Sequence, residues 1–433
     1  YNFAYDVLSE YVDAGYIAPL DDYIEEYGVN YRRVLDAITV DNAEAYITIG
    51  DHVYAMPTAA ENPNGMYANY RFSYQKQFLD ALGMEEPTTL DGLYDFLVGI
   101  RDQDVNGNGD ANDEIPMMGY AAANYVLDII GSAYQYTNSS SFLKVNDNAI
   151  SFVGANDLFK ETVEYIKKLV DEKLFAPESY TQDLAALQAI NIQGAIVGVH
   201  TCGAMVTQAY NNETEQYYGV RPLNLLTGPY GYKATRYNPP AVNRTLVMTT
   251  ACKAPEAAYR LMDFMLSEEA AMRCRFGIEG QQWEAADEGT FGSNGKQALY
   301  KLIGTQEWSL PSSNVFWFME NITYNDRVGY LAQSFSETFQ DYPQTYYNGL
   351  KIRDQYMDNV TGEELPLLLM DPDTTAEYSE LKNAIVSYIK EQVALFVLGD
   401  RSLSEWDQYV SELEAMGVAD YVRLAQDAYD AQR

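Results

Sequence analysis

The chain has 433 residues, with 28 basic against 63 acidic side chains and a net charge of −35. That length is enough for two or three domains with sizeable cores, and 47% hydrophobic with 21% charged residues is ordinary for a soluble globular protein. The acidic excess argues against nucleic acid and against anionic membrane surfaces, since both need basic patches. The acids are scattered, so they read as solvated surface, and a pair of carboxylates says little about acid–base catalysis. Cys202, Cys252, Cys274, His52 and His200 form no CxxC or His/Cys cluster, which argues against a zinc site and a cysteine protease. The cysteines read as free and buried, with one disulfide as the alternative in an exported protein. No apolar run reaches transmembrane length.

In chain order, YNFAYDVLSEYVDAGYIAPLDDYIEEYG reads as mid-domain sequence without a leader, which places an N-terminal portion before Tyr1. HVYAM, residues 52–56, predicts a short strand ended by Pro57. A polar loop, residues 58–65, follows it. Ligands of open α/β sheets sit beyond the carboxyl ends of strands, so Glu61 and Asn62 are candidate ligand contacts. Residues 67–82 carry a helix pattern ended by Gly83. PTTLDGLYDFLVGIRDQ predicts a second helix, with Thr88 or Thr89 as N-cap.

DVNGNGDANDEIP then places oxygen-bearing side chains at relative positions 1, 3 and 5 with glycine at 6, the pattern of a calcium loop. Asp104, Asn106, Asn108, Asp110 and Glu114 are the candidate ligands. Position 12 is Ile115 rather than glutamate, so Glu114 or Asp113 has to close the shell. An unmetallated Asn-Gly turn is the alternative.

Further strands are expected at residues 149–153 and 194–200, and an amphipathic helix at 158–170. Residues 245–249 read as a buried strand. Pro255 at a first helical position opens one helix, and Ser267 caps the next, with Glu268 and Glu269 in its first turn. A Gly-flanked loop, residues 277–280, delivers Trp283, either to the edge of a cleft or into the core. A helix is expected over 295–304. Leu381, Ile385, Tyr388, Ile389, Val393, Phe396 and Val397 share one helix face, Ser404 reads as the cap of a later helix, and Trp406 reads as packing.

TLVMTTACKAPEAAYRLMDFMLSEEA followed by FGIEGQQWE resembles family 1 extracellular solute-binding proteins of ABC importers, closest to their long, lipoprotein-type branch. VDAGYIAPLDDYIEEYG, PTTLDGLYDFL, LFAPESYTQDLAALQA and the terminal RSLSEWDQYVSELEAMG carry the same resemblance. It implies an α/β, two-lobed type II periplasmic-binding-protein fold with an interlobe cleft and a hinge. Lobe one would be 1–118 with 245–305, and lobe two 119–244 with 306–433. It further implies that Tyr134 (or Tyr125 or Tyr136) brings an aromatic to the cleft, and that His200 and Thr201 face the ligand from a strand end. Tyr237, in a crossover between lobes, and Trp317, near a helix start, complete the candidates with Trp283. Relatives carry the DxNGNG…DEIP loop, so a structural Ca²⁺ is expected. Family membership also implies a monomer serving permease subunits from the outer face of the cell membrane, held by an N-terminal lipid anchor.

The 38 tyrosines, 16 phenylalanines and 4 tryptophans favour a carbohydrate ligand, specifically an oligosaccharide, because aromatic faces stack on the C–H faces of sugars. A peptide, an amino-sugar or another polar solute is the alternative. A glycoside hydrolase would need two carboxylates at a fixed separation, and no catalytic motif marks them; the expectation is a binding protein rather than an enzyme.

Overall fold

The computed structural model describes residues 5–38, 40, 42–59, 71–201, 210–211, 216–217, 220–236, 242–276, 278–281, 283–289, 297, 299–302, 333–334 and 355–433. They form two compact units. Unit 1 takes Tyr1–Asn64, Pro239–Gln340 and Leu369–Ala376; unit 2 takes Gly65–Asn238, Asp341–Leu368 and Glu377–Arg433.

Unit 1 opens with three helices, α1 (Tyr5–Asp13), α2 (Asp21–Tyr27) and α3 (Val29–Ala37), then a hairpin of β1 (Thr48–Ile49) and β2 (His52–Val53), and β3 (Ala55–Ala59). The strand does not stop at Pro57. It runs on to Ala59, because Pro57 lies opposite Arg244 beside a register shift in the partner strand, where the ladder makes no use of the missing N–H.

In unit 2, β4 (Ser73–Gln75) leads into α4 (Lys76–Leu82), and Gly83 ends that helix at φ +63°. The helix pattern over 67–82 therefore holds only for its second half: residues 73–75 are drawn into the sheet, a tertiary pairing that overrides local periodicity. Next come α5 (Leu90–Asp102), β5 (Ile115–Met118), α6 (Val126–Gly131), and a hairpin of β6 (Leu143–Asn146) and β7 (Ala149–Phe152). Thr89 caps α5 through a 3.0 Å bond from Gly92 N. Asp147 and Asn148 turn the hairpin at φ +50° and +66°, a conformation Asp and Asn tolerate. Then follow α7 (Asp157–Asp171), α8 (Leu184–Asn191), β8 (Val197–His200), a hairpin of β9 (Tyr210–Asn211) and β10 (Gln216–Tyr217), and β11 (Val220–Pro222).

The central sheet of unit 2 has the order β11-β4-β8-β5. β4 is antiparallel to both its neighbours and β5 is parallel to β8. Three carboxyl ends (β11, β8 and β5) and the start of β4 thus share one edge. Phe78, Leu93, Phe96, Leu97, Ile100, Met117 and Val199 are buried in the core around it.

The chain returns to unit 1 with β12 (Val242–Val247), antiparallel to β3. Two helices follow, Pro255–Met265 and Glu268–Phe276, the second capped as expected by Ser267, whose Oγ accepts from Ala270 N at 3.1 Å. Asp263 acts across the unit: its carboxylate accepts from Tyr31 N at 2.8 Å and Asn30 N at 3.1 Å, capping α3, which has no side-chain cap of its own. Leu8, Leu20, Val34, Ile47, Met56, Tyr259 and Leu266 form the core. β13 (Trp283–Ala285), β14 (Tyr300–Leu302) and β15 (Gln333–Ser334) make a separate small sheet. Within the span 295–304, residues 300–302 are therefore strand rather than helix.

The C-terminal helices Pro372–Leu398, Trp406–Ala415 and Val418–Ala431 supply unit 2 with Ile385, Ile389, Val393, Phe396 and Val397, all buried. Trp406 packs as expected, 4.8 Å from Tyr409 and 5.5 Å from Phe396 between ring centroids. The cap is Ser402, not Ser404: Ser402 Oγ accepts from Ser404 N while Glu405 reaches back to Ser402 N, a capping box.

This division differs from the expected one over 306–340 and 369–376, which belong with unit 1, and over 65–118, which belongs with unit 2. For 65–118 the reason is the sheet: β4 and β5 both pair with β8, and α5 packs into the same core.

Candidate functional site

The shared edge of the unit 2 sheet gathers residues from four separate stretches of chain. Arg71 and Phe72 precede β4, Gly119 and Tyr120 follow β5, Thr201 follows β8, and Leu223 and Asn224 follow β11. Backbone bonds lock them together: Thr201 N donates to Met118 O at 3.0 Å, Tyr125 N to Thr201 O at 3.1 Å, and Leu223 N to Phe72 O at 3.0 Å. A Cβ on Gly119 would lie 1.8 Å from Thr201 Oγ1, so only glycine fits there. Gly119 is then held from both sides, its N–H donating to Ser179 Oγ at 3.0 Å and its carbonyl accepting from Gln182 Nε2 at 2.5 Å. Thr201 Oγ1 is buried and has no hydrogen-bond partner among the described residues.

Arg71 is buried, and that burial lowers its pKa; the Tyr356 and Tyr125 hydroxyls lie near enough to act in the opposite direction. Beside it, Asp128 on α6 and Arg236 form an ion pair at 2.7 Å with side chains 1% and 3% exposed. The pair is held by further hydrogen bonds. Asp128 accepts from Ser139 N and Oγ, both at 2.7 Å, and Arg236 donates to Ser140 Oγ at 2.8 Å. Phe72, Ser132, Leu223, Tyr356 and this pair line a hollow of about 10 Å³, room for a single water. Ser132 Oγ lines the hollow and is one of the buried polar atoms without a partner among the described residues.

Of the residues singled out in the sequence, Thr201 joins this group directly. His200 ends β8 with no exposed surface; its Nε2 lies 3.2 Å from Asn191 Oδ1, and burial pulls its pKa down to about 4. Thr201 is as fully buried as His200, so burial by itself does not separate the two. Tyr134 is a core residue, 8% exposed, with Tyr230 edge-on at 6.5 Å; burial pushes its pKa up to about 12. A stacking platform needs an open face, and little of Tyr134 is exposed. Trp283 is partly exposed at the first position of β13 in unit 1. Glu61, Asn62, Tyr237 and Trp317 lie outside the described residues. Arg71, Asn224, Tyr356 and the Asp128–Arg236 pair were not singled out in the sequence. Arg71 stands inside a stretch with a helix pattern, and a lone arginine among aromatics carries no signal until β4 is placed.

The 104–114 loop forms a second polar centre in unit 2. Asp104 accepts from Gly107 N at 2.7 Å, Asn108 N at 3.2 Å and Gly109 N at 2.8 Å. Gly107 and Gly109 adopt φ of +74° and +94°, which lets these N–H groups converge. Asn106 and Asn108 turn their side-chain amides to the two oxygens of Asp113, at 3.2 and 2.5 Å. Glu114 Oε1 is engaged by Val105 N and Asn106 N, at 2.8 and 3.1 Å, while Oε2 is buried without a partner among the described residues. Burial raises the Glu114 pKa. Among the described residues no three His, Cys, Asp or Glu side chains cluster as a metal site by themselves; the loop's ligand set leans on asparagine oxygens. Cys252 is a free thiol, partly buried.

Comparison with known proteins places this arrangement. The family model for bacterial extracellular solute-binding proteins matches residues 1–272. The fructooligosaccharide ABC transporter substrate-binding protein FusA of Streptococcus pneumoniae serotype 4 is 26% identical over 435 residues, covering 98% of this chain and 77% of that protein. Among solved structures, the S. pneumoniae FusA EF-hand mutant in complex with fructo-nystose matches with a TM-score of 0.79 at 21% identity, over 100% of this chain and 86% of that one. An HMO-binding solute-binding protein from Bifidobacterium longum infantis matches with a TM-score of 0.71 at 17% identity, over 99% and 86%. These likenesses show the fold, the two-lobed α/β fold of solute-binding proteins, and the family match over more than half the chain settles the rest: the chain belongs to the bacterial extracellular solute-binding proteins.

Proposed function

We propose that this protein captures a carbohydrate, specifically an oligosaccharide, for an ABC importer and hands it to the permease without chemically changing it. The observation that carries the reading is the carboxyl edge of the unit 2 sheet, where Arg71, Thr201, Asn224 and Tyr125 are held by a backbone lattice at the position where open α/β sheets take ligands. The relatives' ligands, a fructooligosaccharide above all, support the class. In this reading Trp283 is an aromatic platform of unit 1, and Glu61, Asn62, Tyr237 and Trp317 are further contacts. Closure of the two units on the solute follows from mass action, since only a solute that favours the closed state shifts the population toward it. The protein acts as a monomer on the outer face of the membrane, tethered by a lipid anchor.

The test is a thermal-shift panel of neutral oligosaccharides, peptides and amino-sugars, followed by calorimetry and small-angle scattering on whatever raises the melting temperature. An oligosaccharide that binds, reduces the radius of gyration and is recovered intact supports the reading. A peptide as the sole hit, or steady hydrolysis of the sugar, overturns it.

The 104–114 loop is proposed to hold one Ca²⁺. Its residues fit the ion by their chemistry: the Asn106 and Asn108 amides meet the Asp113 carboxylate and the Asp104 carboxylate holds the same turn, so oxygen donors of the kind calcium takes share one loop. Asp110 and Glu114 complete the candidate set. A bound cation would neutralise these carboxylates and pin the loop to β5. A fold relative bearing an EF-hand mutation supports this.

A further inference from the structure

A second groove lies beside the edge site, against the residues that follow β11. Thr88, Asn224, Leu225, Thr227, Lys233, Gln355, Asp358 and Asn359 line a space of about 270 Å³. All but one of these are polar. Asn224 and Leu225 also line the small hollow under Tyr356, so the groove begins where the edge site ends.

The groove's walls are tied down by backbone. Thr227 N donates to Thr88 O at 2.9 Å and Leu90 N to Thr227 O at 3.1 Å; on the other side Thr235 N donates to Asn359 O at 2.9 Å. Asn359 is fixed further by its Nδ2, which donates to Gln355 O at 2.6 Å. Glu86 Oε1 accepts from Asn224 N at 2.6 Å, which holds the shared segment. The side chains that face solvent are differently placed. Lys233 and Asp358 are exposed and have no ion-pair or hydrogen-bond partner among the described residues. A rigid frame thus presents an ammonium, a carboxylate and several amides and hydroxyls around one leucine.

We infer that this groove is an outer subsite that takes one sugar of a neutral oligosaccharide bound beside the sheet edge; the inference rests on the carbohydrate reading above. At about 270 Å³ it falls below the roughly 300–1,000 Å³ of a pocket enclosing a whole small ligand, so it suits part of a solute. Paired donors and acceptors match a ring of hydroxyls, which offers both, better than they match a group of single charge. Leu225 supplies the apolar contact for the C–H face. A solute entering here extends outward from Asn224, so chain length rather than the identity of the first sugar is what the groove reads.

The experiment is calorimetric titration of the wild type and a Lys233→Ala/Asp358→Ala double variant. The ligands are neutral oligosaccharides of two to five sugars, in the linkage that raises the melting temperature in the panel above. The double variant keeps the net charge and removes side chains without partners among the described residues, so the fold is retained. The wild type should bind the longer members more tightly than the disaccharide. The variant should lose that gain, about tenfold for each charge-assisted hydrogen bond removed, while disaccharide affinity stays within twofold. Equal affinity of variant and wild type for every length overturns the subsite, as does a loss of the same factor at every length. If no saccharide of any length binds the wild type, the carbohydrate reading itself falls, and the subsite with it.

Discussion

Because His200 has no exposed surface, the fold resists its protonation. Its pKa stands at about 4 in the folded chain against 6.5 for an unperturbed imidazole, and burial is the cause. The sign follows from which state binds the proton. Between pH 6.5 and 4 the unfolded chain takes up a proton that the folded chain refuses, so stability is full above 6.5 and is lost as pH falls toward 4. At pH 5 the unfolded imidazole is about 1.5 units below its pKa, which corresponds to about 2 kcal/mol. His200→Gln removes the titration while keeping an amide within reach of Asn191 Oδ1, which now lies 3.2 Å from Nε2.

The assay is urea unfolding followed by circular dichroism at pH 7 and pH 5, for the wild type and the variant. Carboxylates shift both proteins alike, so the quantity of interest is the difference between their pH dependences. The wild type should lose about 2 kcal/mol more than the variant between the two pH values. Equal losses would refute the reasoning and mean that the folded chain accepts a proton at His200, for instance through water reaching Nδ1.

Other perturbations test other parts of the molecule. Asp128→Ala leaves the Arg236 guanidinium buried without its counter-charge and should cost about 3–5 kcal/mol of stability in urea titration. The double variant with Arg236→Met should cost less than that single change; additive losses would show the pair is not coupled. Chelation should lower the melting temperature, and Asp104→Ala should reproduce that drop without chelator; superimposable melting curves would remove the cation. Tyr134→Ala should lose about 3 kcal/mol of stability as a core truncation. Trp283→Ala should keep the fold and weaken sugar binding by about 1 kcal/mol or more, and wild-type affinity in that variant would end its proposed role.

Much of the fold is legible in the sequence wherever one element's own pattern decides its structure. The α5 cap at Thr89, the α7 amphipathic stripe, Pro255 at a helix start and the buried face of Ile385, Ile389, Val393 and Phe396 all rest on local spacing. What fails is decided at long range. Residues 73–75 leave a helical pattern because β8 and β11 flank them, and Pro57 stays in its strand because the partner strand shifts register just after Arg244. Of the site, Thr201 could be found because a turn follows a buried strand. Arg71, Arg236 and Tyr356 could not, since their meeting depends on which strand lies beside which. Tyr134 misleads for the related reason that an aromatic at the end of a helix reads alike whether its face is open or covered by Tyr230.

The membership of residues 65–118 shows how the site depends on the sheet. The 104–114 loop sits between α5 and β5, and Glu114 Oε1 clamps its start through Val105 N and Asn106 N. One residue later β5 begins, and it runs parallel to β8 until Met118 stands opposite His200. Gly119 then has to lie flat against Thr201 Oγ1, with no room for a side chain. A slip of β5 by one residue would turn its side chains to the other face and bring a side-chain-bearing residue against Thr201. The loop fixes one end of a four-residue strand and the Gly119–Thr201 contact fixes the other. The register between them leaves Tyr125 N bonded to Thr201 O and Arg71 beside Tyr125. The polar edge therefore depends on a short strand held at both ends, which gives a loop with no place in the site itself a direct mechanical reason to be there.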